Sequence, residues 1–232
     1  MSSTTIGGHR VGLLRQTAAI AAKDVRIDVR GRHALGSLLP FAATLLVAFG
    51  FAFGPGRDVL QRTAPGLLWM AVLFAAVMAA RRSYQTESED GALEGLLVAP
   101  VDKAAIFLGK AAAVIVQLLA LVVAVLLLVV VLFDLSIGSP LPMVAAFALG
   151  TVGLAAVGGM FGVVAESART REAIFPMLVL PLATPVLIAG VRATDLAATG
   201  DPGAGQWLGL LLAFDVVFVS VGVLVFGYLM ED

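Results

Sequence analysis

Apolar residues run in six long blocks along this chain: approximately Leu35–Phe53, Ala64–Ala80, Ala104–Phe133, Leu141–Ala165, Ala173–Val191 and Trp207–Met230. A hydrocarbon core about 30 Å thick is crossed by roughly 20 apolar helical residues. In lipid the backbone must satisfy its own hydrogen bonds, so each block is predicted to be a helix. The second block is short, with 17 uncharged residues, but Thr63 and Ser83 extend it without adding a charge. The third is long. Its uncharged part, Ala111–Phe133, spans by itself, which predicts that Lys110 snorkels at the interface while Ala104–Lys110 projects into water.

Ahead of the blocks, Val11, Leu14, Ala18, Ala22, Val25 and Val29 recur at three- and four-residue steps, with Arg15, Lys23 and Arg26 elsewhere on the wheel. The spacing predicts a basic amphipathic helix lying along the membrane surface. The pattern as a whole gives an all-α polytopic protein in two parts. Residues 1–34 form an N-terminal segment with its interfacial helix, and residues 35–230 form a six-span domain. The connection between spans two and three, residues 81–103, is the most polar insert in that domain.

Composition agrees with the pattern. The chain of 232 residues is 60% hydrophobic and 13% charged, with mean hydropathy +1.02; soluble domains run at about 45–50% and about 25%. Placing the N-terminus in the cytosol puts twelve of the fifteen Lys and Arg residues inside, against Arg57, Arg62 and Arg192 outside. That bias predicts that both termini are cytosolic.

Chemistry-bearing residues are few. There is no cysteine, and the two histidines, His9 and His33, both precede the first block. Thiol catalysis, disulfides and thiolate metal sites are therefore excluded for this chain. No HExxH, GxSxG or GxxxxGK[ST] motif occurs, so the chain is not expected to be an enzyme or to hydrolyse ATP itself. Without a membrane histidine, a cysteine or an aromatic cluster, no cofactor is expected to be bound by this chain. No nucleic-acid partner is expected either. Trp69 and Trp207 are read as interface anchors near span ends.

Three intramembrane features stand out. Gly158 and Gly162 form a GxxxG pair suited to close helix packing. Pro181 and Pro185, one turn apart, each remove a backbone donor, and predict a kink or break that could serve as a hinge. Asp215 is the one ionisable residue well inside a block; it calls for a functional role or for a buried hydrogen bond to a neighbouring helix.

The 81–103 insert carries Glu87, Glu89, Asp90 and Glu94, with Leu93, Leu96 and Leu97 as an apolar stripe and Pro100 as a stop. Tyr84, Glu87, Asp90, Gly91, Leu93, Glu94, Leu96 and Leu97 are predicted to form a short helical unit. Acidic side chains this dense beside a membrane call for a basic receiver. A helix presented at that face and pushed by a partner is the coupling element of ATP-driven transporters.

The run Glu87-Ser88-Glu89-Asp90-Gly91-Ala92-Leu93-Glu94-Gly95-Leu96-Leu97-Val98-Ala99-Pro100-Val101-Asp102-Lys103, continuing to Ile106-Phe107-Leu108-Gly109-Lys110, resembles the haem exporter protein B (CcmB) family. So do Ala64-Pro65-Gly66-Leu67-Leu68-Trp69 and Leu178 to Ile188 around the two prolines. The similarity extends over roughly Ala22 to Met230. It implies a six-span permease-like subunit in the bacterial inner membrane, partnered by a cytosolic ATP-binding-cassette ATPase and a haem-handling membrane protein. It implies too that ATP bound by the partner drives haem handling for c-type cytochrome biogenesis, with residues 87–94 meeting the ATPase. The alternative is an export permease of the same broad class for a lipid, polysaccharide or drug.

Overall fold

The computed structural model of the chain describes residues 5–31, 33–54, 56–89, 102–166 and 171–229. Every regular element among them is helical: α1 Thr5–Gly31, α2 His33–Phe53, α3 Arg57–Glu89, α4 Lys103–Phe133, α5 Pro140–Glu166, α6 Arg171–Thr199 and α7 Ala204–Leu229. Five of these contain stretches long and apolar enough to cross a bilayer, namely Arg57–Ser83, Lys103–Phe133, Pro140–Phe161, Met177–Thr199 and Ala204–Val225. The described apolar part of α2, Leu38–Phe53, is shorter. Large apolar side chains such as Leu127, Val131, Leu224 and Val216 face outward, as lipid-facing positions should.

α3 is the centre of the bundle, packing on α2, α4, α5 and α6, while α7 closes over α4, α5 and α6. The core fits through small residues. Trp69 is not an interface anchor. It is fully buried, with its indole N–H donating to Thr194 Oγ1 at 2.9 Å. Its ring lies in a notch on α5 and α6: a Cβ added at Gly150 would stand 2.1 Å from the indole, and one at Gly190 2.6 Å from it. The reason is length. α3 starts at Arg57, before the apolar block begins, so Trp69 lies about 18 Å inside the helix.

The expectation for Ala104–Lys110 is likewise overturned. Phe107 is fully buried where Gly222 of α7 leaves room, and Gly109 would touch Ile20 of α1 at 2.7 Å if it carried a Cβ. Lys110 is 2% exposed. α1 packs on Gly109 and α7 receives Phe107, so neighbouring helices stand there in place of water.

α6 runs unbroken through Pro181 and Pro185, so of the expected kink or break the break does not occur. Both prolines are exposed, which turns the positions without donors away from the core, and Thr184 Oγ1 donates to the Leu180 carbonyl at 3.0 Å between them. Gly158 does serve packing: its Cβ would stand 2.7 Å from that of Ala80. The Gly162 position lies outside the described side chains.

One end of the bundle is tied across helices. Asp134 caps α4 in the left-handed region at φ 52°, pairs with Arg57 of α3 and accepts from Gln61 Nε2 through its carbonyl at 2.7 Å. At the same end, Ser139 N and Gly138 N donate to the Ala197 and Ala198 carbonyls of α6 at 2.8 and 3.0 Å. Gly138 approaches Gly200 so closely that a Cβ would stand 2.6 Å from the Gly200 amide nitrogen.

Candidate coupling site

The connection from α3 to α4 leaves the bundle at the opposite end. Tyr84 and Glu87 lie in the last turns of α3, where the helical backbone is described but the side chains are not. Asp90, Gly91, Leu93, Glu94, Leu96 and Leu97 lie outside the described residues. What is described is the pair of roots from which this segment springs; α1 bonds directly to the second and reaches the first through Lys110 of α4.

At the second root, Asp102 is the N-cap of α4. Its backbone is extended and its Oδ1 accepts from Ala104 N at 3.0 Å, satisfying one of the donors a helix start leaves open. The Asp102 amide in turn donates to Gln16 Oε1 of α1 at 3.1 Å. At the first root, Lys110 Nζ of α4 donates to the Ser83 carbonyl of α3 at 2.8 Å. The same ammonium lies 3.9 Å from Asp24 Oδ2 of α1, and Lys23 Nζ lies 3.3 Å from Asp24 Oδ1. A cavity of about 50 Å³ opens between the three helices, with Lys23, Asp24, Asp28, Arg82 and Gln117 among its lining. Space on this scale fits a water or two among polar groups.

α1 therefore has two faces. Leu14, Ala18, Ala22 and Val29, named from the apolar periodicity, are exposed, while Gln16, Thr17, Ile20 and Asp24 turn toward the bundle. The second face escaped the sequence reading because its contacts are polar or short-range and carry no hydropathy signal. A buried lysine matched by an aspartate at the right depth of another helix was the available clue.

Asp215 of α7 is buried at 5% exposure, and neither carboxylate oxygen has a hydrogen-bond partner among the described residues. It sits against Gly153, whose Cβ would stand 2.8 Å from Oδ1. The hydrogen bond to a neighbouring helix is not made. No group of three or more His, Cys, Asp or Glu able to hold a metal occurs among the described residues.

A helical bundle with five membrane-length apolar helices is a multi-pass integral membrane protein. The family model described as "CcmB protein" matches residues 15–230, and the chain belongs to that family. It is 31% identical over 200 residues to "Heme exporter protein B" of Pseudomonas aeruginosa, covering 84% of this chain and 88% of that protein. The protein of the same name from Rhodobacter capsulatus is 31% identical over 182 residues, covering 78% and 84%. That from Escherichia coli K12 is 32% identical over 201 residues, covering 82% and 87%.

Proposed function

We propose that this chain is the membrane permease subunit of an ATP-driven complex that exports or delivers haem for c-type cytochrome biogenesis. Family membership along residues 15–230 carries the reading, supported by the acidic insert between α3 and α4 and the absence of a phosphate-binding loop. The ATPase is a separate cytosolic subunit that receives residues 84–97. A second membrane protein handles haem, and the lipid bilayer surrounds both. The chain lies in the bacterial inner membrane with both termini in the cytosol. α2 is the first of six spans, and α1 lies ahead of them in the N-terminal segment, residues 1–34, with its exposed stripe in the head-group region. Pro181 and Pro185 mark where α6 bends during transport.

Capturing the tagged full chain from membranes of its own host tests this. An ATP-binding-cassette ATPase should come with it, and deletion should remove holocytochrome c. Capture without any ATPase, together with unchanged holocytochrome, would refute the reading.

Haem ligation is assigned to the partner, since both histidines precede the first span and no cysteine exists. Titration of the purified full chain with haem is expected to give no stoichiometric axial-ligand spectrum. A one-to-one complex with a shifted Soret band would reverse that assignment.

A further inference from the structure

Burying an ammonium is expensive unless it is paired and hydrogen-bonded, and an apolar residue would fill the same space at less cost. Lys110, 2% exposed, must therefore supply something packing does not. Its geometry shows what that is. In an α-helix the Ser83 carbonyl accepts from the amide four residues on, at Glu87. Lys110 Nζ gives the same carbonyl a second donor at 2.8 Å. α3 continues to Glu89, so the lysine is an added donor on a carbonyl inside the helix and ties the last turns of α3 to α4. Asp24 then holds the ammonium from the side of α1 at 3.9 Å. One helical stretch earlier on α1, Gln16 Oε1 accepts from the Asp102 amide at 3.1 Å. The two anchor points are eight residues, or about 12 Å, apart along α1. Between them Gly109 lets α1 lie directly on α4, so close that a Cβ would stand 3.1 Å from the Thr17 carbonyl oxygen.

Building on the proposed coupling role of the α3–α4 connection, we propose that Lys110, Asp24 and Gln16 are positioning residues of the energy input. They clamp α1 across both roots of that connection, so that α1, the end of α3 at Ser83 and the start of α4 at Asp102 move as one body. α1 is then part of the drive train, with its exposed apolar stripe as the bearing on the membrane surface. Lys110 supplies both the bond to the Ser83 carbonyl and the tie to Asp24; Gln16 fixes the distance to the other root.

The chain contains no cysteine, so a single Thr17→Cys reports on the α1–α4 contact, where Thr17 Oγ1 is buried. Maleimide labelling would be followed in the assembled complex in native membranes, alongside holocytochrome c formed per ATP hydrolysed. In the otherwise unaltered chain the thiol should label slowly. Lys110→Met or Asp24→Asn should raise the labelling rate at least fivefold and lower holocytochrome per ATP at least fivefold. The double variant Lys110→Met/Asp24→Leu removes both charges, which relieves the burial problem but also removes the bond from α4 to the Ser83 carbonyl. Its holocytochrome yield per ATP should stay below one fifth of normal, whether or not the thiol becomes protected again. Full yield from the double variant would reduce the pair to ordinary packing and overturn the proposal. So would a Thr17→Cys thiol that labels as fast in the parent as in Lys110→Met. The labelling arm needs no ATPase, so it still decides whether α1 is clamped if the proposed partnership fails.

Discussion

Reversing three charges, as Glu87→Lys/Asp90→Lys/Glu94→Lys, is expected to lower recovery of the ATPase with this chain more than tenfold and to abolish holocytochrome formation. The change swings the insert by six charges, since each acidic residue becomes basic. A basic receiver on the partner would then face like charge, and such juxtaposition costs several kcal/mol, enough for a hundredfold or more in affinity. The bundle should not notice. The amount of chain in the membrane is expected to be unchanged. Neutralising the same residues to Gln and Asn removes attraction without adding repulsion, and its effect relative to the parent should be smaller and should shrink as salt rises. Normal ATPase recovery with normal holocytochrome after full reversal would remove the docking role from this segment.

The helices were legible because lipid leaves a chain so few choices. A long apolar block must be a helix, and the five membrane-length apolar helical stretches fall on blocks two to six. Side-chain environment was much less legible, for the same reason. When every face of a helix is apolar, periodicity no longer separates the face against protein from the face against lipid. Trp69 shows this. Its distance from the charged flank of the block suggests an interface anchor, yet α3 begins earlier and Gly150 and Gly190 draw the ring inward. Lys110 shows the complementary failure. A lysine at the edge of a block ordinarily reaches for water, and only the tertiary approach of Asp24 and the Ser83 carbonyl supplies another solvent for it. Gly109 and Gly222 could have warned of this, since a helix position without a side chain invites a neighbour. Asp215 was legible as unusual, and its notch against Gly153 required the packing of α5 on α7.

These particulars place stiffness and freedom at opposite ends of the bundle. Where Asp134 pairs with Arg57, backbone and side-chain bonds tie α3 to α4 and α5 to α6. At the other end the α3–α4 connection springs from two roots, one bonded to Gln16 of α1 and the other to Lys110 of α4. A push on that connection reaches the rest of the molecule through α3, whose 33 residues make a rod about 50 Å long. The place where the rod engages α5 and α6 most closely is Trp69.

Trp69→Ala should accordingly be the most damaging single change in the bundle. The indole fills a notch that two glycines on separate helices leave open, touches Phe147 with ring centroids 5.9 Å apart, and satisfies the Thr194 hydroxyl. In a bilayer the unfolded reference is already out of water, so the transfer part of the penalty shrinks and the cavity part dominates. At about 24 cal/mol per Å³ of unrelaxed void, losing an indole is expected to destabilise by about 3 kcal/mol. Thermal unfolding of the purified chain, followed in detergent, should fall by several degrees. Trp69→Phe keeps most of the ring and gives up the hydrogen bond, for a loss of about 1 kcal/mol. Gly150→Leu should fail from the opposite direction, since its first added atom would stand 2.1 Å from the indole. Put together, Trp69→Ala and Gly150→Leu should partly cancel, the leucine filling the void that the alanine leaves. Two losses that simply add, or a Trp69→Ala chain as heat-stable as the parent, would mean that α3 does not engage its neighbours through this ring.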